Sequence, residues 1–199
     1  MTLHRFLLHR RAAAVYLASL GYWVLPVASR AGTIGLPGES ADVPNFQKVN
    51  EEVYRGAQPT EQGFKRLAGL GIKTVIDLRQ IGEHSQGDEQ KAVEANAMRY
   101  VSVPMKGMST PTNEQVSTVL ALLEDKAAEP VFVHCRRGAD RTGTVIACYR
   151  ISHDHWDNEK ALSEARSYGM SWFERAMQHY VLRYEPAGSS ASRDQQAAP

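Results

Sequence analysis

With 199 residues, 43% of them hydrophobic and 23% charged, the chain has the makings of one folded domain with some length to spare. That excludes a disordered chain, a collagen-like repeat and a polytopic membrane protein. Two cysteines exclude a disulfide-built scaffold, and a net charge of +1 lacks the basic excess of a dedicated nucleic-acid binder.

The charge is unevenly spread. Residues 1–38 contain no Asp or Glu, yet hold Arg5, Arg10, Arg11 and Arg30; taking those four from 23 cations against 22 anions leaves a net of −3. Arg5, Arg10 and Arg11 precede an apolar run from Ala12 to Ala28, and the small residues Ala28, Ser29 and Ala31 follow. This is the layout of an export signal cleaved after Ser29 or Ala31, which predicts a periplasmic or secreted protein. The alternative is an uncleaved anchor over 12–28, at the short end of what spans a bilayer, and it is the only membrane attachment predicted. Residues 1–31 are therefore read as signal or anchor, 32–45 as a Gly/Pro-rich linker, 46–184 as the folded domain and 185–199 as a loose tail.

Within the domain, Val53-Tyr54-Arg55 predicts a short strand, and Thr60 caps a helix ending before Gly71. The β-branched run Lys73–Leu78 predicts a buried strand, followed by a polar helix over 88–97 and a strand over 100–103 stopped by Pro104. Thr112 with Gln115 forms a capping box for a helix ending near Glu124, and Val131-Phe132-Val133-His134 is a further buried strand. Helices are predicted over 142–152, 157–167 and 172–184, the last with a second capping box from Ser171 and Glu174. Alternating strands and helices imply an α/β fold, a mostly parallel central sheet flanked by helices.

The chemistry concentrates directly after the strand ending at His134, in Cys135-Arg136-Arg137-Gly138-Ala139-Asp140-Arg141-Thr142-Gly143. A loop from a strand's C-terminal end into a helix N-terminus turns successive backbone N–H groups toward one spot, backed by the helix dipole, and that spot binds an oxyanion. A cysteine at the start of the loop sits in the same field, which favours its nucleophilic thiolate. Arg141 returns to the rim, where its planar fork suits two phosphate oxygens. Gly138 permits the tight loop, Thr142 is expected to donate to the sulfur, and Arg136 and Arg137 either draw in anionic substrate or are solvated charge. Cys148, among Ile146, Ala147 and Tyr149, reads as core. His134 is expected to orient the loop rather than act as a base. His153 and His155 read as surface residues, and Trp156, Trp172, Phe173 and Tyr180 as packing between the last helices, with one of them free to line a substrate mouth.

His134-Cys135-x5-Arg141-Thr142-Gly143 resembles the signature of the cysteine-dependent protein tyrosine and dual-specificity phosphatases. Tyr54-Arg55-Gly56-Ala57-Gln58-Pro59-Thr60, Gly63-Phe64 and Leu70-Gly71-Ile72-Lys73-Thr74-Val75-Ile76-Asp77-Leu78-Arg79 extend the likeness, over about 50–184, to the plant and fungal atypical dual-specificity phosphatases and their bacterial relatives. The resemblance implies a metal-free, cofactor-free phosphatase fold in which Cys135 forms a phosphocysteine and residues 136–141 cradle the phosphate of a protein or small-molecule substrate.

Two departures matter. The family's aspartate general acid lies on a loop about thirty residues before the cysteine, where this chain has Pro104-Met105-Lys106-Gly107-Met108-Ser109. Asp140 is the first candidate to replace it, unless it only salt-bridges an arginine; Glu83, Asp88 and Glu89 are weaker ones. Where members acting on inositol pyrophosphates tend to have Lys-His, this chain has Ala139-Asp140, which disfavours a polyanion. A phosphate-binding module without turnover is the alternative from another class. A rhodanese-like sulfurtransferase fits less well, since its loop generally has arginine one residue nearer the cysteine, where this chain has Asp140.

Overall fold

The computed structural model describes residues 41–83 and 85–187; the segment read as signal or anchor, the first part of the proposed linker and residues 188–199 of the tail lie outside these. Five strands form one sheet in the order β1-β2-β5-β3-β4: β1 (Gln47–Lys48), β2 (Val53–Ala57), β3 (Thr74–Asp77), β4 (Arg99–Ser102) and β5 (Val131–Cys135). Only the β1–β2 pair is antiparallel, so the expected mostly parallel sheet is present. All five residues of β5 and all four of β3 are buried, as strands covered on both faces must be.

The helices are α1 (Glu61–Gly69), α2 (Gln86–Glu94), α3 (Asn113–Leu123), α4 (Asp140–Ser152), α5 (Asn158–Ser167) and α6 (Arg175–Arg183). Along β5, Val131, Val133 and Cys135 join a core with Val116, Val119, Val145 and Ile146 from α3 and α4. Phe132 alternates into the opposite core with Phe64, Leu67, Val75 and Val93. Burying each such side chain contributes roughly 1.5–3 kcal/mol. Cys148 belongs to the first core; burial pushes its thiol well above the ordinary range, in keeping with an inert packing residue.

Local chemistry sets the helix starts. Thr60 accepts from the Gly63 N–H, and Thr112 and Gln115 form the predicted reciprocal box. The second predicted box does not form. Ser171 Oγ accepts from the Phe173 N–H, 171–174 is a turn, and α6 starts at Arg175 with no side-chain cap at Glu174. Trp172 and Phe173 are consequently 72% and 61% exposed and stacked on each other, not packed between helices. The end of the proposed linker belongs to the domain: Val43 is buried beside Phe46, and the Asp42 and Pro44 carbonyls accept from the Thr60 and Ala57 N–H groups.

Candidate active site

Parallel pairing brings the C-terminal ends of the central strands to one edge, with Ala57 opposite Cys135 and Asp77 opposite His134. Ligands of open α/β sheets bind at such an edge. Cys135 ends the core-facing row of β5, and its side chain is 1% exposed. The chain then loops through Arg136–Ala139 into α4, which begins two residues earlier than predicted. Ala139 supplies no capping side chain, and among the described residues the backbone N–H groups of 136–139 donate to no acceptor. Unpaired amides gathered at a helix N-terminus are the donors an oxyanion site requires.

Gly138 holds the loop in shape. Its φ is +67°, and a Cβ there would lie 2.3 Å from the Gly56 carbonyl carbon, so only glycine fits. Its carbonyl accepts at 2.7 Å from the buried Arg55 guanidinium, which also stacks over Tyr168. Burial lowers the Arg55 pKa to about 10, leaving it charged at neutral pH. Arg55 is thus a loop-positioning residue, a role for which its place in the strand run Val53-Tyr54-Arg55 gives no local signal.

Arg141 lies in the first turn of α4. Both terminal nitrogens of its guanidinium donate to the Glu83 carboxylate at 3.0 Å, and Nη1 also donates to the Met105 carbonyl at 3.2 Å. Glu83 thereby presents two oxygens to the fork much as a phosphate would. The Thr142 hydroxyl, by contrast, is buried without a hydrogen-bond partner among the described residues. The expected donation to the Cys135 sulfur is therefore not made, since Thr142 is already enclosed within the first helical turn. Arg137 is pinned to Asp140 and the Gly169 carbonyl, each at 3.3 Å, while the exposed Arg136 guanidinium has no partner among the described residues. Asp140 has both oxygens engaged, one by Arg137 and the other by the Ser171 N–H at 2.8 Å. Ala139 is buried.

Behind the loop lies a buried ionic cluster. Arg79 donates to both Asp77 oxygens and to Glu89, and Tyr100 donates to Asp77. His134 Nε2 sits 2.9 Å from Glu89 Oε1, off the hydrogen-bonding direction, so both atoms lack a true hydrogen bond. Asp77, Glu89 and His134 bring ligand-type atoms within 4.8 Å of one another, but the Arg79 guanidinium already supplies the cation between the carboxylates. Burial pulls the Asp77 pKa upward, but the Arg79 hydrogen bonds and the neighbouring His134 outweigh it and hold the carboxyl below its ordinary value. Glu89 is therefore a structural partner of Arg79, and Asp88 is an exposed residue of the first turn of α2. His153 and His155 are exposed at the end of α4, as predicted.

Burial lowers the His134 pKa to about 4, the Asp77 charge opposing. The folded state therefore holds His134 neutral, while the unfolded chain protonates it near 6.5. Stability from this group is complete above that value and lost as pH falls from 6.5 toward 4. The unfolding free energy obtained from urea titrations is expected to drop over that window by up to about 3 kcal/mol. His134→Asn should flatten the dependence, and an equal slope in the variant would count against it. Asp77 contributes its own loss only at lower pH.

The group that the sequence reading overlooked is Glu174, in the turn before α6. It is 8% exposed, and its Oε2 is buried with no hydrogen-bond partner among the described residues. Burial pushes its pKa up, and the Asp140 charge pushes the same way; the Met108 N–H, Arg141 and Arg137 oppose. Its sequence signal, Ser171-x-x-Glu174, pointed instead to a helix cap.

The family model that describes a DSP-PTPase phosphatase fused to NAD+ kinase matches residues 38–182. The inositol diphosphatase DSP5 of Arabidopsis thaliana is 28% identical over 137 residues, which is 66% of this chain and 66% of the plant protein. The dual-specificity protein phosphatase TpbA of Pseudomonas aeruginosa is 30% identical over 125 residues, 63% of this chain; the match spans only 55% of TpbA. Among solved structures, a TpbA Cys-to-Ser variant in complex with phosphotyrosine superposes with a TM-score of 0.60 at 28% identity, covering 78% of this chain and 91% of that one. The catalytic core of the Saccharomyces cerevisiae PP-IP phosphatase SIW14 matches in fold at 23% identity, with a TM-score of 0.64 over 78% of this chain and 96% of the yeast one. From the matched span and the shared fold, the chain belongs to the dual-specificity and tyrosine phosphatase family.

Proposed function

We propose that this protein is an exported, cysteine-dependent phosphatase that hydrolyses phosphomonoesters through a phosphocysteine intermediate. The observation that carries the reading is Cys135 at the end of β5, followed at once by four backbone amides unpaired among the described residues and by Arg141 in the first turn of α4. Cys135 attacks phosphorus; the amides and Arg141 hold the equatorial oxygens; water then releases phosphate. Arg55 and Gly138 keep the loop in shape, and Arg141 must exchange Glu83 for the substrate.

Two substrate classes are in play, because relatives carry the names of an inositol diphosphatase and of a dual-specificity protein phosphatase. The surroundings of the loop favour an aryl ester such as phosphotyrosine. Ile81, Met108, Trp172 and Phe173 are all strongly exposed on segments that bear Glu83, the Met108 N–H and Ser171, which reach the loop or Glu174. Apolar groups there suit an aromatic or peptide flank, while Ala139 and Asp140 supply no cation for a polyanion. We expect a phosphotyrosyl peptide to exceed an inositol pyrophosphate in kcat/KM by about tenfold or more, a difference of ~1.4 kcal/mol. The reverse order would overturn the substrate assignment. Assaying protein recovered from the periplasmic or secreted fraction tests export as well, since a product confined to the cytosol argues against it.

A further inference from the structure

The chemistry needs a proton for the leaving oxygen, and the loop that supplies one in the resembled family holds no acid here: residues 104–109 read Pro-Met-Lys-Gly-Met-Ser. The four carboxyls singled out from sequence are poorly suited. Asp140 has both oxygens occupied by donors, Glu89 is locked to Arg79, Asp88 lies exposed on α2, and Glu83 occupies the fork of Arg141 that the substrate phosphate must take, so that substrate displaces it. Carboxyl oxygens tied to fixed donors in this way are not free to approach a leaving oxygen.

Glu174 differs on each count. It is only 8% exposed and keeps one buried oxygen without a partner among the described residues. It lies against the backbone N–H of Met108, on the loop that lacks the acid, and within the fields of Asp140, Arg141 and Arg137. The turn that carries it is tied to the phosphate loop, because Ser171 donates to Asp140 and the Ser171 carbonyl accepts from the Glu174 N–H. We propose that Glu174 is the proton donor to the leaving oxygen, taking from the α5–α6 turn the role that residues 104–109 do not fill. The assignment rests on the phosphatase reading and deepens it.

In the first step the Cys135 thiolate forms the S–P bond as the P–O bond to the leaving group breaks. The Glu174 proton moves to that oxygen, releasing an alcohol or phenol and leaving a carboxylate. In the second step the carboxylate takes a proton from water as its oxygen attacks phosphorus. The S–P bond breaks, phosphate departs, and both thiolate and acid are regenerated. Asp140 acts through Glu174 as a positioning residue: its negative charge helps the neighbouring carboxyl retain its proton, consistent with the upward displacement of the Glu174 pKa.

The test compares Glu174→Gln with the unaltered enzyme on 2,4-dinitrophenyl phosphate, whose leaving group needs no proton, and on phenyl phosphate, whose leaving group does. The kcat/KM for phenyl phosphate, which reports the steps up to loss of the leaving group, is expected to fall about 100-fold or more, with the alkaline limb of its pH profile lost, while kcat/KM for dinitrophenyl phosphate changes less than about threefold; kcat on the latter falls as well, because Glu174 also serves the hydrolytic step. Equal losses in kcat/KM on both esters in a variant with an unchanged melting curve would overturn the assignment. So would a leaving-group-dependent loss in Asp140→Asn with none in Glu174→Gln. Should Glu174→Gln fail to fold, Glu174→Asp serves: it retains a shorter acid, and its loss must still be greater on phenyl phosphate. If the unaltered enzyme does not turn over dinitrophenyl phosphate at all, the phosphatase reading fails and takes Glu174 with it. Turnover without leaving-group dependence removes Glu174 alone.

Discussion

Cys135→Ser is expected to abolish release of nitrophenol from an aryl phosphate, a loss on the order of 10,000-fold or more, because the nucleophile itself is removed. Serine nearly preserves the shape of the side chain, and the surrounding donors do not depend on sulfur. The 136–139 amides, unpaired among the described residues, are untouched, Arg55 still holds the Gly138 carbonyl, and Arg141 keeps its place in α4. A phosphotyrosyl peptide should therefore bind the variant with a Kd close to the unaltered KM, measurable by calorimetry. Binding without turnover in the variant alone separates an enzyme from a recognition module. Equal turnover in both proteins would remove Cys135 from the mechanism, and tight binding with turnover in neither would establish the module.

Arg141→Lys is the second large effect, and charge alone does not account for it. Two guanidinium nitrogens now meet the Glu83 carboxylate at 3.0 Å, while one also reaches the Met105 carbonyl. A planar fork can transfer that two-point geometry to the equatorial oxygens of a phosphate; an ammonium group is a single point charge. Loss of a preorganised donor to developing charge lowers kcat by about 100- to 1,000-fold. KM should rise as well, since the fork also engages the ground-state phosphate. The measurement is steady-state kinetics on an aryl phosphate, and activity within about threefold of the unaltered enzyme would show that positive charge suffices.

The proposed phosphate loop was legible because its parts are contiguous. Cysteine, glycine, arginine and the helix start fall on one strand-to-helix turn, so local backbone geometry alone assembles them. The strands were legible for a similar reason: β-branched runs bounded by turn residues have few alternatives. Helix starts were less secure. Ser171-x-x-Glu174 fits a capping box as well as Thr112-x-x-Gln115 does, yet only the latter closes one. In the former, the Ser171 N–H turns to Asp140 and its hydroxyl to Phe173, which leaves Trp172 and Phe173 outside the core. Thr142 shows the same limit, since spacing suggested a hydroxyl near the sulfur and the early start of α4 enclosed it.

The sequence by itself determined an α/β domain and where the proposed nucleophile and phosphate cradle lie in it, because hydrophobic patterning and a nine-residue motif act over short stretches of chain. Tertiary structure alone decided which distant groups attend them. Arg55 arrives from β2, Glu83 from the loop after β3, Glu174 from the turn before α6, and His134 is kept neutral beside a buried Arg79–carboxylate cluster. Their roles depend on burial and on charges many residues away, and both exist only once the sheet has aligned its strand ends and the helices have closed over it.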